Sequence, residues 1–205
     1  MMPGRQRLRT ELFVALLLLL TITIAQAAVR LSGIFSDHMV LRRDALIHIW
    51  RWGDPGEQVT VQLGKVSSST TTNDLGRWSL YLPPLPAGGP VVLAITGSNS
   101  IALSDVLIGD VWVASGQSNM EMPLTGFSNS ARVKNGNQEI AQAIHPEIRF
   151  LMVPQRSSPY PTQNIAAAWT GCAPDTAKDF STVAYFFGRE ISAQEKVPVG
   201  LIDAS

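Results

Sequence analysis

The segment Gly116-Gln117-Ser118-Asn119 places a hydroxyl between two amides, directly after the short apolar run 110–115. A serine hydroxyl becomes a nucleophile when a base takes its proton, donors hold the developing oxyanion and substrate can reach it. In open α/β sheets ligands bind at the carboxyl ends of the strands, which is where Ser118 is predicted to lie. Gly116 allows a tight turn and close approach of a substrate. Ser118 is therefore the candidate nucleophile, and its own N–H is a candidate oxyanion donor; the alternative is a polar turn.

The other residues of triad type lack a matching arrangement. Ser36, Asp37 and His38 are consecutive, and three consecutive side chains cannot converge as nucleophile, orienting acid and base. His48 alternates within a predicted strand, and His145 stands at the end of a predicted helix. We expect both histidines to be structural or exposed to solvent, so the sequence offers no base for Ser118.

Composition excludes several classes of function. Acidic and basic residues balance at 16 each, which gives no basic footprint for nucleic acid and no polybasic block for an anionic membrane. The single cysteine, Cys172, cannot form an internal disulfide, and with three scattered histidines it cannot build a zinc site. We expect Cys172 to be a small, partly buried residue and not a nucleophile, and we expect no metal ion or organic cofactor.

The first 27 residues have the layout of a secretory signal peptide. Arg5, Arg7 and Arg9 precede the apolar stretch 12–24, and Ala25-Gln26-Ala27 has small residues at the positions that a signal peptidase reads. The alternative is an uncleaved membrane anchor, but about thirteen apolar residues are short for a bilayer that needs about 20. The sequence predicts cleavage after Ala27, export to the periplasm or the medium, and no stable membrane insertion afterwards.

Residues 28–108 have the pattern of a small antiparallel β-sandwich. Short runs rich in β-branched and aromatic residues are separated by turns built on proline, glycine and asparagine. These runs are ALIHIW, QVTVQL, RWSLYL and VVLAIT, and a hairpin is predicted between Thr96 and Ile101. The serine- and threonine-rich segment 67–72 is predicted to be an exposed loop that runs into a strand.

Residues 109–205 have a different pattern, that of an open α/β sheet. The runs DVWVAS, IRFLMV and VGLIDAS are predicted to be buried strands, the first of them covered on both faces as in a parallel sheet. A short helix is predicted near 138–144, and a longer one at 180–194 with one apolar face, capped by Asp179 or Ser181. Three strands and one long helix make about half of such a domain, so the protein is either unusually small or, as we expect, C-terminally truncated.

Several motifs resemble the sialate O-acetylesterase family, within the wider SGNH/GDSL group of esterases. The stretch SGQSNMEM resembles that family's first motif, whereas Met120 breaks the Gly-x-Ser-x-Gly pattern of α/β-hydrolases. Four segments resemble the leader domain of that family: FSDHMVLRRD, WRWGDPGE, DLGRWSLYLPPLPAGGP and ITGSNSIALSDVLIGDVW. Two later segments, FSTVAYFFGREI and VPVGLIDAS, resemble the helix and the strand that come next in that family. The resemblance implies an SGNH-hydrolase-like, flavodoxin-like open sheet after a β-sandwich leader.

The resemblance also implies a function. It implies a serine esterase in which Ser118 attacks the acetyl group of an O-acetylated sialic acid or related sugar and becomes acetylated. Gly116, Gln117 and Asn119 are candidates for positioning the substrate or the oxyanion. The histidine base, its aspartate and further oxyanion donors of that group belong to later motifs, which are expected beyond Ser205. We therefore expect these 205 residues to be inactive alone.

Two alternatives remain open from the sequence. One keeps the esterase class but changes the substrate to acetylated xylan or another polysaccharide. The other is a non-catalytic carbohydrate-binding module built on the β-sandwich, in which Trp50, Trp52 and Trp78 would stack against sugars. The sequence does not specify the oligomeric state.

Overall fold

A computed structural model describes residues 28–128 and 132–205. The predicted signal peptide, residues 1–27, lies outside the described residues. Among those that are described, no helix has both the length and the apolar character needed to cross a membrane.

Ten strands and four short or medium helices make up the described chain. The strands are β1 Val40–Arg42, β2 Ile47–Trp52, β3 Gln58–Leu63, β4 Val66–Thr71, β5 Arg77–Leu82, β6 Gly88–Thr96, β7 Ser100–Ala114, β8 His145–Met152, β9 Trp169–Cys172 and β10 Val199–Asp203. The helices are α1 Ser118–Glu121, α2 Gly136–Ala141, α3 Pro174–Ala177 and α4 Thr182–Glu195.

The N-terminal strands form two layers around one apolar core. Strands β2 and β5 pair with each other, and they face the antiparallel ladder β4-β3-β6-β7. Alternate residues point into the space between the layers, as the period of two in a β-strand requires. The fully buried side chains of this core include Ile49, Val61, Leu82, Leu93 and Ile95. The predicted hairpin is confirmed, since Thr96 pairs with Ser100.

The separate β-sandwich domain predicted from the sequence is not confirmed. Strand β7 pairs with β6 through its first half and with β10 through its second half, so one eight-stranded sheet runs through both parts of the described chain. The core of the N-terminal strands also includes Leu151 and Trp169 from the later part. The boundary predicted after residue 108 therefore falls inside a continuous strand.

The parallel sheet predicted from the second half is present as three strands. Strands β7 and β8 both pair with β10 in parallel, in the order β7-β10-β8. Strand β9, which the sequence did not predict, pairs antiparallel with β8 and adds an antiparallel edge strand to the parallel part of the sheet. Because β9 has only four residues, WTGC, it carries too little periodicity to be recognised.

Helix α4 packs on this sheet, and its cap is one of the two predicted. Ser181 occupies the N-cap, and its Oγ accepts a hydrogen bond from the backbone N–H of Ala184 at 3.3 Å. The predicted apolar face is only partly correct, since Val183 is 46% and Phe187 40% exposed. The buried face of the helix instead carries both polar and apolar residues, Tyr185 among them.

Two local predictions are wrong. Residues 66–71 form strand β4, paired with β3 along its whole length, instead of an exposed loop before a strand. Its serines and threonines alternate between half-buried and exposed, as on an edge strand with one face toward solvent. The run DVWVAS is not covered on both faces within the described chain, because Trp112 is 44% and Val113 66% exposed.

Candidate active site

The carboxyl ends of three parallel strands meet at one edge of the sheet. Asp203 at the end of β10 lies in register with Ala114 at the end of β7 and with Met152 at the end of β8. The segment that carries Ser118 leaves β7 at this edge. This is the place where ligands bind in open α/β sheets.

Hydrogen bonds fix the start of this segment to the neighbouring strand. The backbone N–H of Ala204 donates to the carbonyl of Ala114 at 2.8 Å, and Ser115 Oγ donates to the carbonyl of Ala204 at 3.1 Å. The chain therefore continues the β7–β10 ladder for one residue beyond the strand ends and then turns.

Ser118 is exposed and begins the one-turn helix α1. Gln117 is the N-cap residue, in extended conformation, and its carbonyl accepts the N–H of Met120 at 2.8 Å and of Glu121 at 3.1 Å. Within residues 28–128 and 132–205, Ser118 Oγ has no hydrogen-bond partner, and no carbonyl accepts the N–H of Ser118 or Asn119. A free hydroxyl thus lies beside free N–H donors, which are the groups that hold an oxyanion.

The turn before Ser118 favours a small residue at position 116. A Cβ on Gly116 would lie 3.0 Å from the Cβ of Met120, closer than side chains ordinarily pack. Gln117 and Asn119 are both exposed, so their amides are open to a substrate. The structure thus brings together the four residues singled out from the sequence, on one exposed turn.

Contacts on both sides hold helix α1 in place. Gln155 Nε2, from the segment after β8, donates to Glu121 Oε1 at 3.1 Å and to the carbonyl of Ser205 at 3.2 Å. On the other side, the N–H of Thr182 at the start of α4 donates to the carbonyl of Met122 at 2.8 Å. The serine-bearing turn is therefore attached to β8, β10 and α4.

None of the three histidines of the chain lies near Ser118. His145 begins β8, and the opposite end of that strand lies at the sheet edge from which the Ser118 segment leaves. The two ends of this eight-residue strand are about 23 Å apart. It lies beside Tyr185, whose hydroxyl is 3.4 Å from His145 Nε2, and burial lowers the pKa of the imidazole. His145 is therefore a partly buried structural residue, as the sequence indicated.

His38 belongs to a charged cluster around Asp105, in the first half of β7. Its Nδ1 lies 2.7 Å from Asp105 Oδ2, and the same oxygen accepts a hydrogen bond from Arg149 Nη2 at 3.0 Å. Asp37 caps the neighbouring backbone, because its Oδ1 accepts from the N–H of Ser104 at 2.6 Å, which lowers the pKa of that carboxyl. Ser36, Asp37 and His38 thus have separate partners and form no triad.

Cys172 is buried in a second apolar core, which also contains Phe150 and Tyr185, and it forms no disulfide. Burial raises the pKa of its thiol to about 11, so the thiolate is scarce near neutral pH. In the described chain no group of three or more histidine, cysteine, aspartate or glutamate side chains could hold a metal ion. The expectation of a buried, unreactive cysteine agrees with this environment.

Sequence reasoning missed a cleft on the N-terminal part of the chain. It has a volume of about 610 Å³ and lies between strands β2 and β5 and the loop 162–165, away from Ser118. Trp50 and Trp52 line it, as does the buried Trp78, which is 3% exposed. The loop residues that close the cleft are at least 80 positions away in sequence from strands β2 and β5, so no local pattern could have found it.

Comparison with known proteins relates this architecture to one enzyme group. Sialate O-acetylesterases from Pongo abelii and Homo sapiens are each 30% identical to the chain over 198 residues, and the enzyme from Mus musculus is 27% identical over 199. Each alignment covers 86% of this chain. The chain is a homologue of the sialate O-acetylesterases. The resemblance predicted from the motifs is confirmed.

A solved structure supports the relationship to the sialate O-acetylesterases. The crystal structure of a novel carbohydrate acetylesterase from Xanthomonas citri superposes with a TM-score of 0.80 at 33% identity, covering 85% of this chain and 40% of that one. The chain spans 35–36% of the length of the three sialate O-acetylesterases above. No family model matches the chain.

Proposed function

We propose that this chain is the nucleophile-bearing part of an exported serine esterase that removes O-acetyl groups from sialic acid or a related sugar. The observation that carries the proposal is the position of Ser118, exposed and without a hydrogen-bond partner in the described residues, at the carboxyl edge of three parallel strands. The names of the relatives supply the reaction class, acetyl-ester hydrolysis on carbohydrates.

Hydrolysis of the acetyl ester proceeds in two steps, acetylation of Ser118 and then hydrolysis of the acetyl-enzyme. Ser118 Oγ forms a bond to the acetyl carbonyl carbon while its proton passes to a base, and the tetrahedral oxyanion is held by N–H donors. The carbon–oxygen bond to the sugar then breaks, and the sugar oxygen takes a proton to become a hydroxyl. Water, deprotonated by the same base, attacks the acetyl-enzyme and releases acetate and free Ser118.

The protein supplies the nucleophile and part of the oxyanion site at this turn. In our proposal the N–H groups of Ser118 and Asn119 donate to the oxyanion, Gly116 leaves space for the acetyl group, and Gln117 contacts the sugar. The base comes from outside this 205-residue sequence, because all three of its histidines lie elsewhere. We therefore propose that these residues are inactive or nearly inactive alone.

Two substrate classes fit the relatives. The homologues named sialate O-acetylesterase point to acetylated sialic acids, and we propose these as the first class to test. The solved structure is described more broadly as a carbohydrate acetylesterase, which keeps acetylated polysaccharides as the second class. The arginine-rich start and the apolar stretch 12–24 support export, and N-terminal sequencing of the secreted protein tests cleavage after Ala27.

The test uses the protein produced from the whole native gene. Acetate release from O-acetylated N-acetylneuraminic acid and from acetylated xylan is measured for the wild type, Ser118→Ala and Ser128→Ala. Ser128 is also an exposed serine, and it serves as the matched control. We expect Ser118→Ala to abolish release while Ser128→Ala leaves it unchanged. Release that survives Ser118→Ala contradicts the proposal.

A further inference from the structure

The cleft between β2, β5 and the loop 162–165 has the composition of a ligand site. On the outer face of β2, His48, Trp50 and Trp52 occupy alternate positions, and Trp50 is 37% exposed. Tyr81, His48 and Trp50 form a stack, with ring centroids 4.4 and 4.7 Å apart. Small-molecule sites are concave, of about 300–1,000 Å³, with aromatic walls and a few polar groups, and the 610 Å³ cleft matches that description.

Trp50 and Trp52 stand side by side on the outer face of β2, and we call the space between their rings the slot. Trp50 is paired with Ser79 on β5, and Trp52 with Arg77. Residues two apart on a strand face lie about 6.7 Å apart. One ring between two others needs about 7–8 Å, since carbon atoms pack at about 3.5–4.0 Å, so the two indole rings must splay apart slightly to admit a sugar ring. Ser79, the cross-strand partner of Trp50, is the smallest side chain on the outer face of β5.

The charge of the residues that line the cleft favours an anionic ligand. Within the described part of the chain, none of the lining residues is acidic, whereas Arg51 and Arg77 are basic and form no ion pair. The guanidinium of Arg77 lies 4.7 Å over the ring of Trp52, at the mouth of the slot. An arginine held by an aromatic ring is placed to bind a carboxylate through two parallel hydrogen bonds.

Hydrogen-bond donors without partners point into the same region. Arg51 Nε is buried without a partner, although another nitrogen of that guanidinium binds the carbonyl of Gln163. Asn73 uses its Oδ1 on the backbone N–H groups of Leu75 and Arg77, which leaves its amide N–H donors open. The open amide donors of Asn73 beside the cavity favour a ligand rich in acceptors, whereas the buried Arg51 Nε is out of reach of a ligand in this conformation.

We propose that this cleft binds a carboxylate-bearing sugar residue of the glycan on which the enzyme acts. The sugar ring lies in the slot between Trp50 and Trp52, because the C–H faces of a pyranose pack on aromatic rings. The carboxylate binds Arg77, and the sugar hydroxyls accept from Asn73. The inference rests on the proposed function in its choice of a glycan, but the cleft and Ser118 are separate sites.

The test measures binding by tryptophan fluorescence in whole-gene protein carrying Ser118→Ala, which removes turnover and leaves the cleft intact. The probes are the methyl glycoside of N-acetylneuraminic acid, the neutral methyl ester of its carboxylate, and methyl galactoside. We expect the acid to bind at least about tenfold more tightly than the ester, as one charge-assisted pair implies. Equal affinity for the acid and the ester, or no binding at all, overturns the proposal.

Two further variants locate the site. Ser79→Leu fills the slot without removing an aromatic ring, and we expect it to weaken binding of the acid at least about tenfold. Ser67→Leu, at an exposed strand position outside the cleft, is the matched control and should bind like the parent. Arg77→Gln should abolish the preference for the acid over the ester. Unchanged binding by Ser79→Leu overturns the proposal, and because Ser118 is absent throughout, the result is independent of the esterase test.

Discussion

The hydroxyl of Ser181 donates a hydrogen bond to the carbonyl of Met120 at 2.5 Å, and it also caps helix α4. Ser181 is fully buried, and Met120 lies in the same helical turn as Ser118. One side chain therefore links the long helix on the sheet to the turn that carries the proposed nucleophile. The position of Ser118 depends on the packing of α4 as well as on β7.

Removing this link should impair both stability and catalysis. Ser181→Ala loses an N-cap, which costs about 1 kcal/mol, and leaves the partly buried carbonyl of Met120 without its donor. We expect a lower free energy of unfolding and, in the whole-gene enzyme, a lower kcat with little change in KM. Chemical denaturation and acetate-release kinetics measure the two effects.

Ser192→Ala is the matched control for that variant. Ser192 Oγ donates to the carbonyl of Val197 at 3.2 Å, at the other end of the same helix. Its loss should lower stability without lowering kcat. Equal losses of kcat in both variants would show that Ser181 acts only through the stability of α4.

The charged cluster around Asp105, in the first half of β7, should contribute to stability. Arg149 is 6% exposed, and Asp105 supplies its carboxylate partner at 3.0 Å. Asp105→Asn leaves the buried guanidinium without a counter-charge, and we expect a loss of about 1–3 kcal/mol in the free energy of unfolding.

Asp44→Asn provides a control with the same substitution and the same backbone conformation. Asp44 and Asp105 have φ values of 54° and 52°, a region that asparagine tolerates well. Asp44 is exposed and lies 3.9 Å from Arg43, so its ion pair should contribute little. If both variants lose the same stability, the Arg149 pair is not the cause.

Cys172 should react slowly with thiol reagents in the folded protein. Its pKa is raised to about 11 by burial, so at pH 8 only about one thiol in a thousand is ionised, and access is also restricted. Labelling with iodoacetamide should be slow in buffer and fast in denaturant. Rapid labelling of the folded protein at pH 8 would contradict the burial of this thiol.

The same thiol should affect the pH dependence of stability. The folded pKa lies above the ordinary value of 9.0, so the unfolded chain loses its proton first as pH rises. The contribution of the neutral buried thiol is therefore present below about pH 9 and declines between about pH 9 and 11. Cys172→Ala should flatten this part of the stability profile, measured by denaturation at several pH values.

These 205 residues should not hydrolyse p-nitrophenyl acetate measurably above background through Ser118. No histidine of the chain lies near the hydroxyl, and catalysis without a base is limited to what binding and oxyanion donors provide. Comparison of the chain with its Ser118→Ala variant measures the Ser118-dependent rate. A clear difference between the two rates would show that a base is present in this sequence.

The strands with strict alternation were predictable because their pattern is local. QVTVQL and RWSLYL coincide with β3 and β5, since every second side chain faces the core. The continuity of β7 was not predictable, because a fifteen-residue strand that changes partners midway looks in sequence like two separate elements. The separate leader domain was inferred from that apparent break.

The candidate nucleophile was predictable because its motif is contiguous and follows a strand. The residues that hold the motif were not predictable, since Ser181 and Gln155 reach it from segments 61 and 34 positions away. The aromatic cleft was not predicted from the sequence, for the same reason. Trp50, Trp52 and Trp78 were named as possible platforms, but burial of Trp78 and the register of Ser79 depend on tertiary structure.

The central claim, that Ser118 is the nucleophile, is tested most directly by trapping the acetyl-enzyme. Protein from the whole native gene is mixed with O-acetylated N-acetylneuraminic acid, quenched in acid within the first turnover and digested for mass spectrometry. We expect one acetyl group on the peptide that contains Ser118, and none on that peptide in the Ser118→Ala variant. Turnover accompanied by an acetyl group on a different residue, or by full activity of the Ser118→Ala variant, would contradict the claim.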